Sequence, residues 1–216
     1  NKIRKSNLNG IKEPGINMLL VLGIVLAVFQ QWCGINVIFN YAQEIFANAG
    51  YSVSDTLFNI VITGSVNLVF TFVGMFAVDK LGRKALMLIG AGGLACIYAV
   101  MGLMYFTSLQ GLPLLIMVVT AIACYAMTLA PVTWVILSEI FPNRIRGLAM
   151  SVATFALWSA CFLLTYSFPL LNKILKASGT FWLYGFICVL GFWFILKKLP
   201  ETKGKSLEEI EHETAR

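Results

Sequence analysis

The sequence predicts an all-α membrane protein, a bundle of six transmembrane helices. Three observations carry that reading. Of the 216 residues, 59% are hydrophobic and only 12% are charged, too little charge to keep the surface of a soluble core of this length wet. The apolar residues gather into six runs of a length that crosses a bilayer as a helix. The charges fall in the short connections between those runs.

Taken in order, residues 1–15 carry Lys2, Arg4, Lys5 and Lys12 and close on Pro14-Gly15. They read as a cytoplasmic linker or surface helix arriving from an upstream part. The chain opens on Asn1 with no signal peptide before its first apolar run, so a piece of a longer protein, or a processed product, is expected. The bundle itself is expected over residues 16–199, with a cytoplasmic tail over 200–216.

The first span, residues 16–46, is the unusual one. It holds Gln30, Gln31, Asn36, Asn40 and Tyr41 around Gly34. Membrane helices avoid clustered amides because an unpaired buried amide costs about 1–3 kcal/mol, and at 100° per residue no straight face carries all five groups. Gly34 is where the helix can loosen and re-aim its second half, as transporters do when they build a binding site from a discontinuous helix. The competing reading is that the amides bond to neighbouring helices and only hold the bundle together.

The second span, residues 56–78, carries the isolated amide Asn67, and a tight charged turn follows at 79–84. The third, 85–109, is rich in small residues (Gly90, Ala91, Gly92, Gly93, Ala95), which serve close helix packing. The fourth, 112–140, contains Pro131 and Trp134, and a kink is expected at the proline. A basic connection, 141–146, leads to the fifth span, 147–171, with Trp158 in its middle and Pro169 near its end. The sixth is expected over 180–196 after an outward loop. Beyond it, Ser206-Leu207-Glu208-Glu209 has the pattern of a capping box.

Six spans place both ends of the chain on one side. Fourteen of the sixteen lysines and arginines then share that side, and only Lys173 and Lys176 face the other. Such asymmetry in short loops predicts that both termini are cytoplasmic. All five cysteines lie within apolar spans, which argues against a disulfide framework.

What the spans lack narrows the function. Glu44, Asp55, Asp79 and Glu139 sit at span ends, and no carboxylate, lysine, arginine or histidine lies mid-span. Intramembrane charge marks proton relays and ion paths, so a ligand of this bundle is expected to be electrically neutral. Nothing supports an enzyme. The single histidine, His212, is in the tail, Ser178 is in an outward connection, and no His/Cys/Asp/Glu cluster has metal-ligand spacing. No cofactor, metal or nucleic-acid partner is implied. Amides donate and accept at once, matching a ring of hydroxyls, and indole faces suit the C–H face of a pyranose. Trp134 and Trp158 lie mid-span, away from the interfaces where tryptophan anchors lipid. Packing is the other explanation for them.

The motif series resembles the C-terminal half of the sugar porters of the major facilitator superfamily, and within them the bacterial xylose:proton symporters. It runs from Gln30-Gln31-x-x-Gly34-x-Asn36 with Tyr41, through Asn67 and Asp79-x-x-Gly82-Arg83-Lys84. It continues with Pro131-x-x-Trp134, Ser138-Glu139-Ile140-Phe141-Pro142, Arg146-Gly147, Trp158 and Pro200-Glu201-Thr202-Lys203-Gly204. The resemblance covers essentially the whole chain. It implies that Gln30, Gln31, Asn36 and Asn67 hydrogen-bond a sugar, that Trp134 and Trp158 line its cavity, and that Asn40 and Tyr41 stand toward an outer gate. It implies a cytoplasmic charge network of Asp79, Arg83, Glu139 and Arg146 that holds the outward-facing state. It also implies a plasma-membrane (in bacteria, inner-membrane) location, a missing N-terminal six-helix half that carries the proton-coupling carboxylate, and a monosaccharide as substrate. Two departures bear on which sugar: Leu157 stands where relatives often carry an amide, and Ala130 replaces a glycine before Pro131. The alternative function is a membrane sugar sensor that binds without translocating. The short tail after Gly204 favours transport.

Overall fold

The computed structural model describes residues 14–42, 45, 53–109 and 111–204, with the side chains of 14, 15 and 53–57 set aside. The linker, Glu44, the Asp55 side chain, His212 and the 206–209 capping-box pattern lie outside the described residues. Within them the elements are all helical: α1 (Pro14–Trp32), α2 (Ile35–Asn40), α3 (Val53–Leu81), α4 (Arg83–Phe106), α5 (Leu112–Met127), α6 (Leu129–Ile140) and α7 (Arg146–Lys198).

Five stretches are long and apolar enough to cross a membrane. The last, α7, has 53 residues, about 80 Å if straight, far more than a hydrocarbon core of about 30 Å. It reverses at Lys176, whose φ of 58° and ψ of 174° are not helical, so α7 is two antiparallel limbs and the six expected spans are present. The outward loop expected over 172–179 is thus compressed to a corner at one residue. Thr180 steadies the second limb by donating from Oγ1 to the Lys176 carbonyl at 2.9 Å.

Facing pairs give the directions. Phe29 packs at Gly191, the Cys188 thiol points at the Cys33 carbonyl (3.8 Å), and Gly34 lies against Tyr184, so the second limb of α7 runs antiparallel to α1. Trp32 and Tyr41 donate to the carbonyls of Ala160 and Thr165, so the first limb runs parallel to α1–α2. Gly23 faces Leu137 and Phe141 while Gln30 reaches Ala130, which sets α6 antiparallel to α1. The small residues of α4 pack on both sides. Gly90 and Gly93 meet Thr128 and Cys124, and Gly92 meets Phe192.

Two spans are broken. The first breaks at Gly34, whose φ of 87° is left-handed, a conformation glycine adopts without a Cβ penalty. There the Gly34 N–H turns to the Gln31 carbonyl at 3.2 Å, and the Gln30 carbonyl that a regular helix would pair with it accepts from the Cys33 thiol at 3.0 Å instead. The fourth span breaks at Thr128 (φ −118°, ψ −87°), three residues before the expected kink at Pro131. The proline thereby sits in the first turn of α6, where its missing N–H breaks no internal bond.

α3 lies along that second break with Gly74 against it. A Cβ on Gly74 would stand 2.6 Å from the Met127 carbonyl oxygen and 2.9 Å from its Cα, and backbone atoms of a packed helix have little room to move. In lipid, such close approach of small residues drives helix association, because burial from hydrocarbon gains little. Gly74→Ala in the full-length protein is expected to cost about 1–3 kcal/mol, read as a lower unfolding midpoint in detergent. On the same helix, Gly64 faces open space, and Gly64→Ala is expected to be neutral or stabilising. Equal effects would show that the α3 contact is not tight.

Candidate functional site

The two broken spans meet through side-chain amides. Asn36 Nδ2 donates to Gln31 Oε1, Gln31 Nε2 donates to Gln30 Oε1 at 3.3 Å, and Gln30 Nε2 donates to the Ala130 carbonyl at 3.3 Å. Gln30 and Gln31 are 3% and 6% exposed, and Asn36 is half-buried. The line therefore begins on α2, crosses the Gly34 break, and ends at the first turn of α6 beside Pro131. The break makes this possible by turning the α2 amide back toward the α1 pair. Each primary amide offers two N–H donors and an oxygen with two lone pairs. The line uses one donor on each amide, leaving three second N–H groups and the Asn36 oxygen to address a neutral, hydroxyl-bearing molecule.

The indoles of the two mid-span tryptophans are both exposed. Trp134, one turn beyond Ala130 on α6, is 38% exposed, and Trp158 on the first limb of α7 is 62% exposed. Leu157, beside it, is 1% exposed and packs into the core. Asn67 is half-buried on α3, a helix whose span is only 11% buried inside this bundle. It stands apart from the amide line in sequence and on a separate helix.

At the far end of α2, Asn40 Nδ2 donates to Thr165 Oγ1 at 3.2 Å and the Tyr41 hydroxyl to the Thr165 carbonyl at 3.0 Å. The Tyr41 and Phe168 rings sit 4.5 Å apart. α2 is thus fastened to the first limb of α7 at its tip. Thr165 and Phe168 carried no sequence signal beyond being part of an apolar span.

The opposite end of the bundle carries the charges. Arg83 holds Glu139 through Nη2 (2.8 Å) and Nε (3.1 and 3.2 Å). Their side chains are 14% and 28% exposed, whereas Asp79, 3.5 Å from Arg83, is 80% exposed. Arg146 stands apart from this pair, with Nε on the Phe141 carbonyl at 3.2 Å. Two further members come from the segment after α7. Thr202 Oγ1 donates to Glu139 Oε2 at 2.6 Å, and Glu201 accepts the Arg83 and Lys84 backbone N–H groups at 2.9 and 3.1 Å. A carboxylate at the start of α4 satisfies open donors and meets the positive end of the helix dipole. Glu201 and Thr202 lay within a motif visible in the sequence, but nothing in that motif says which helix start it caps.

The sequence profile of the family described as "Sugar (and other) transporter" matches residues 5–213. The chain is 41% identical over 199 residues to the D-xylose-proton symporter of Escherichia coli K12, covering 89% of this chain and 40% of that one. It is 36% identical over 206 residues to the arabinose-proton symporter of Bacillus subtilis, covering 95% of this chain and 44% of the relative. Among solved structures, the proton:xylose symporter bound to 6-bromo-6-deoxy-D-glucose superposes with a TM-score of 0.83 at 38% identity, over 98% of this chain and 47% of that one. The chain spans less than half the length of these relatives. Its sequence and its helical bundle together establish that the chain belongs to the sugar transporter family, within the major facilitator superfamily.

Proposed function

We propose that this chain is the C-terminal six-helix half of a transporter that moves a neutral monosaccharide, a pentose or a hexose, by alternating access and in symport with protons. The observation that carries the proposal is the uncharged amide line Asn36–Gln31–Gln30, set inside the spans with unused donors and an open acceptor end. The relatives named for xylose and arabinose symport support the substrate class and the coupling. The sugar sits between this bundle and an N-terminal six-helix half. Gln30, Gln31 and Asn36 take its hydroxyls, Asn67 approaches from α3, and Trp134 and Trp158 stack on its apolar face. The breaks at Gly34 and Thr128 let the helix halves re-aim as one bundle rocks against the other.

Orientation follows from charge. The described basic residues crowd the end that holds Arg83, Lys84, Lys198 and Lys203, with Lys173 and Lys176 near the reversal at the other end. We assign the crowded end to the cytoplasm, in the plasma membrane. Asn40 and Tyr41 then face the outer gate. Arg83 and Glu139, with Asp79 at their edge, form a cytoplasmic latch that holds the outward-facing state, and Arg146 braces the Phe141 carbonyl beside it.

Uptake of labelled pentoses and hexoses by the full-length transporter tests the site. Gln31→Ala strands the amides of Gln30 and Asn36, and Trp134→Ala removes the stacking face. Each is expected to lower kcat/KM about tenfold or more, with the protein still inserted. Unchanged saturable uptake in both variants removes the assignment. For the latch, Glu139→Gln keeps the shape and loses the charge, which is expected to raise the inward-open population roughly 5- to 30-fold. Distances between spin labels on the cytoplasmic ends of the two halves report it, and an unchanged distribution counts against a latch.

A further inference from the structure

An apolar groove runs between α1 and the second limb of α7, lined by none of the amides assigned to the sugar. Between α1 and the second limb of α7 lies a cavity of about 420 Å³, lined by apolar groups including Val25, Val28, Ile187 and Leu190. A second cavity of about 210 Å³ continues it toward the charged end, with Met18, Val21 and Leu22 along α1. Phe194 borders both. The groove closes at that end on one cation, Lys198. No carboxylate pairs with Lys198 among the described residues. Its neighbour Lys197 is turned away, with Nζ 5.4 Å from the centre of the Trp193 ring.

From these features we infer a binding site for an anionic phospholipid, with one acyl chain laid along the groove and the phosphate on Lys198. Length supports the occupant. From Lys198 to Ile187 the limb rises about 17 Å at 1.5 Å per residue, close to half of a ~30 Å hydrocarbon core and so the depth of one leaflet. Composition supports it as well. The track is apolar along its length and bears a positive charge only at the interface, where a basic pocket between spans selects anionic headgroups. A zwitterionic lipid gains the same acyl contacts but meets Lys198 with a headgroup of no net charge. The site is independent of the sugar assignment, since none of the amides or exposed tryptophans of that site is needed to form it.

Native mass spectrometry of the purified full-length transporter, equilibrated with equal phosphatidylglycerol and phosphatidylcholine, tests the inference. The intact protein is expected to retain phosphatidylglycerol preferentially. Lys198→Gln is expected to reduce that preference about fivefold, while Lys197→Gln, which removes the same charge outside the groove, changes it far less. Leu190→Trp, which fills the acyl track, is expected to lower retention of both lipids. All three altered side chains are exposed, so the fold does not depend on them. Equal losses from the two lysine variants would mean diffuse surface attraction and overturn the site. So would equal retention of the two lipids, or no retained lipid because another part of the transporter covers the groove.

Discussion

One hydrogen bond, from Gln30 Nε2 to the Ala130 carbonyl at 3.3 Å, joins the two broken spans at the centre of the bundle. Inside a bilayer no water is at hand to satisfy an amide or an open carbonyl, so a broken helix persists only where protein groups supply the partners. Here each break is satisfied within its own span, the Cys33 thiol donating to the Gln30 carbonyl and the Thr128 hydroxyl to the Cys124 carbonyl. The Gly34 break releases carbonyls and turns α2, and the Thr128 break sets the first turn of α6 beside α1. The amide line then bridges the two discontinuities. That arrangement gives the bundle a polar centre with no buried charge among the described residues.

The packing around it follows from the same scarcity of driving force. Lipid tails are as apolar as leucine, so helices associate in the membrane through close contact and polar ties rather than burial. Gly74 lets α3 rest on the Thr128 break, Gly90 lets α4 approach the same point, and Gly34 accepts the Tyr184 ring. The Thr128 break is therefore packed by glycines of two neighbouring helices, and the Gly34 break by the Tyr184 ring. At the charged end, Glu201 ties the segment after α7 to the start of α4, and Thr202 ties it to Glu139. Motion at the centre and the state of the charge cluster share α4 and α6 as common elements.

Much of this was legible in the residues. Apolar run lengths give six spans, and a glycine between amide pairs marks the first break. Complementary charges in two short connections mark the Arg83–Glu139 pair. Other features were not legible, for physical reasons. Pro131 signals a kink, but the proline is most easily housed in the first turn of a new helix, so the break falls at Thr128. The reversal falls on Lys176, a residue type that announces no corner, because the turn is imposed by limbs already packed on α1 and α4. The partner of Gln30 is a backbone carbonyl, which no side-chain pattern announces. Which face Leu157 and Trp158 take was not legible either: Leu157 points into the core while Trp158 points out.

The account stands on the claim that the amide line gives up its internal bonds to a sugar. The most direct measurement is a structure of the full-length transporter with a bound pentose or hexose. Sugar hydroxyl oxygens about 3 Å from the amide groups of Gln30, Gln31 or Asn36, with at least one bond of the present line replaced, are the expected result. A sugar held elsewhere, with the line from Asn36 to the Ala130 carbonyl intact, would contradict it.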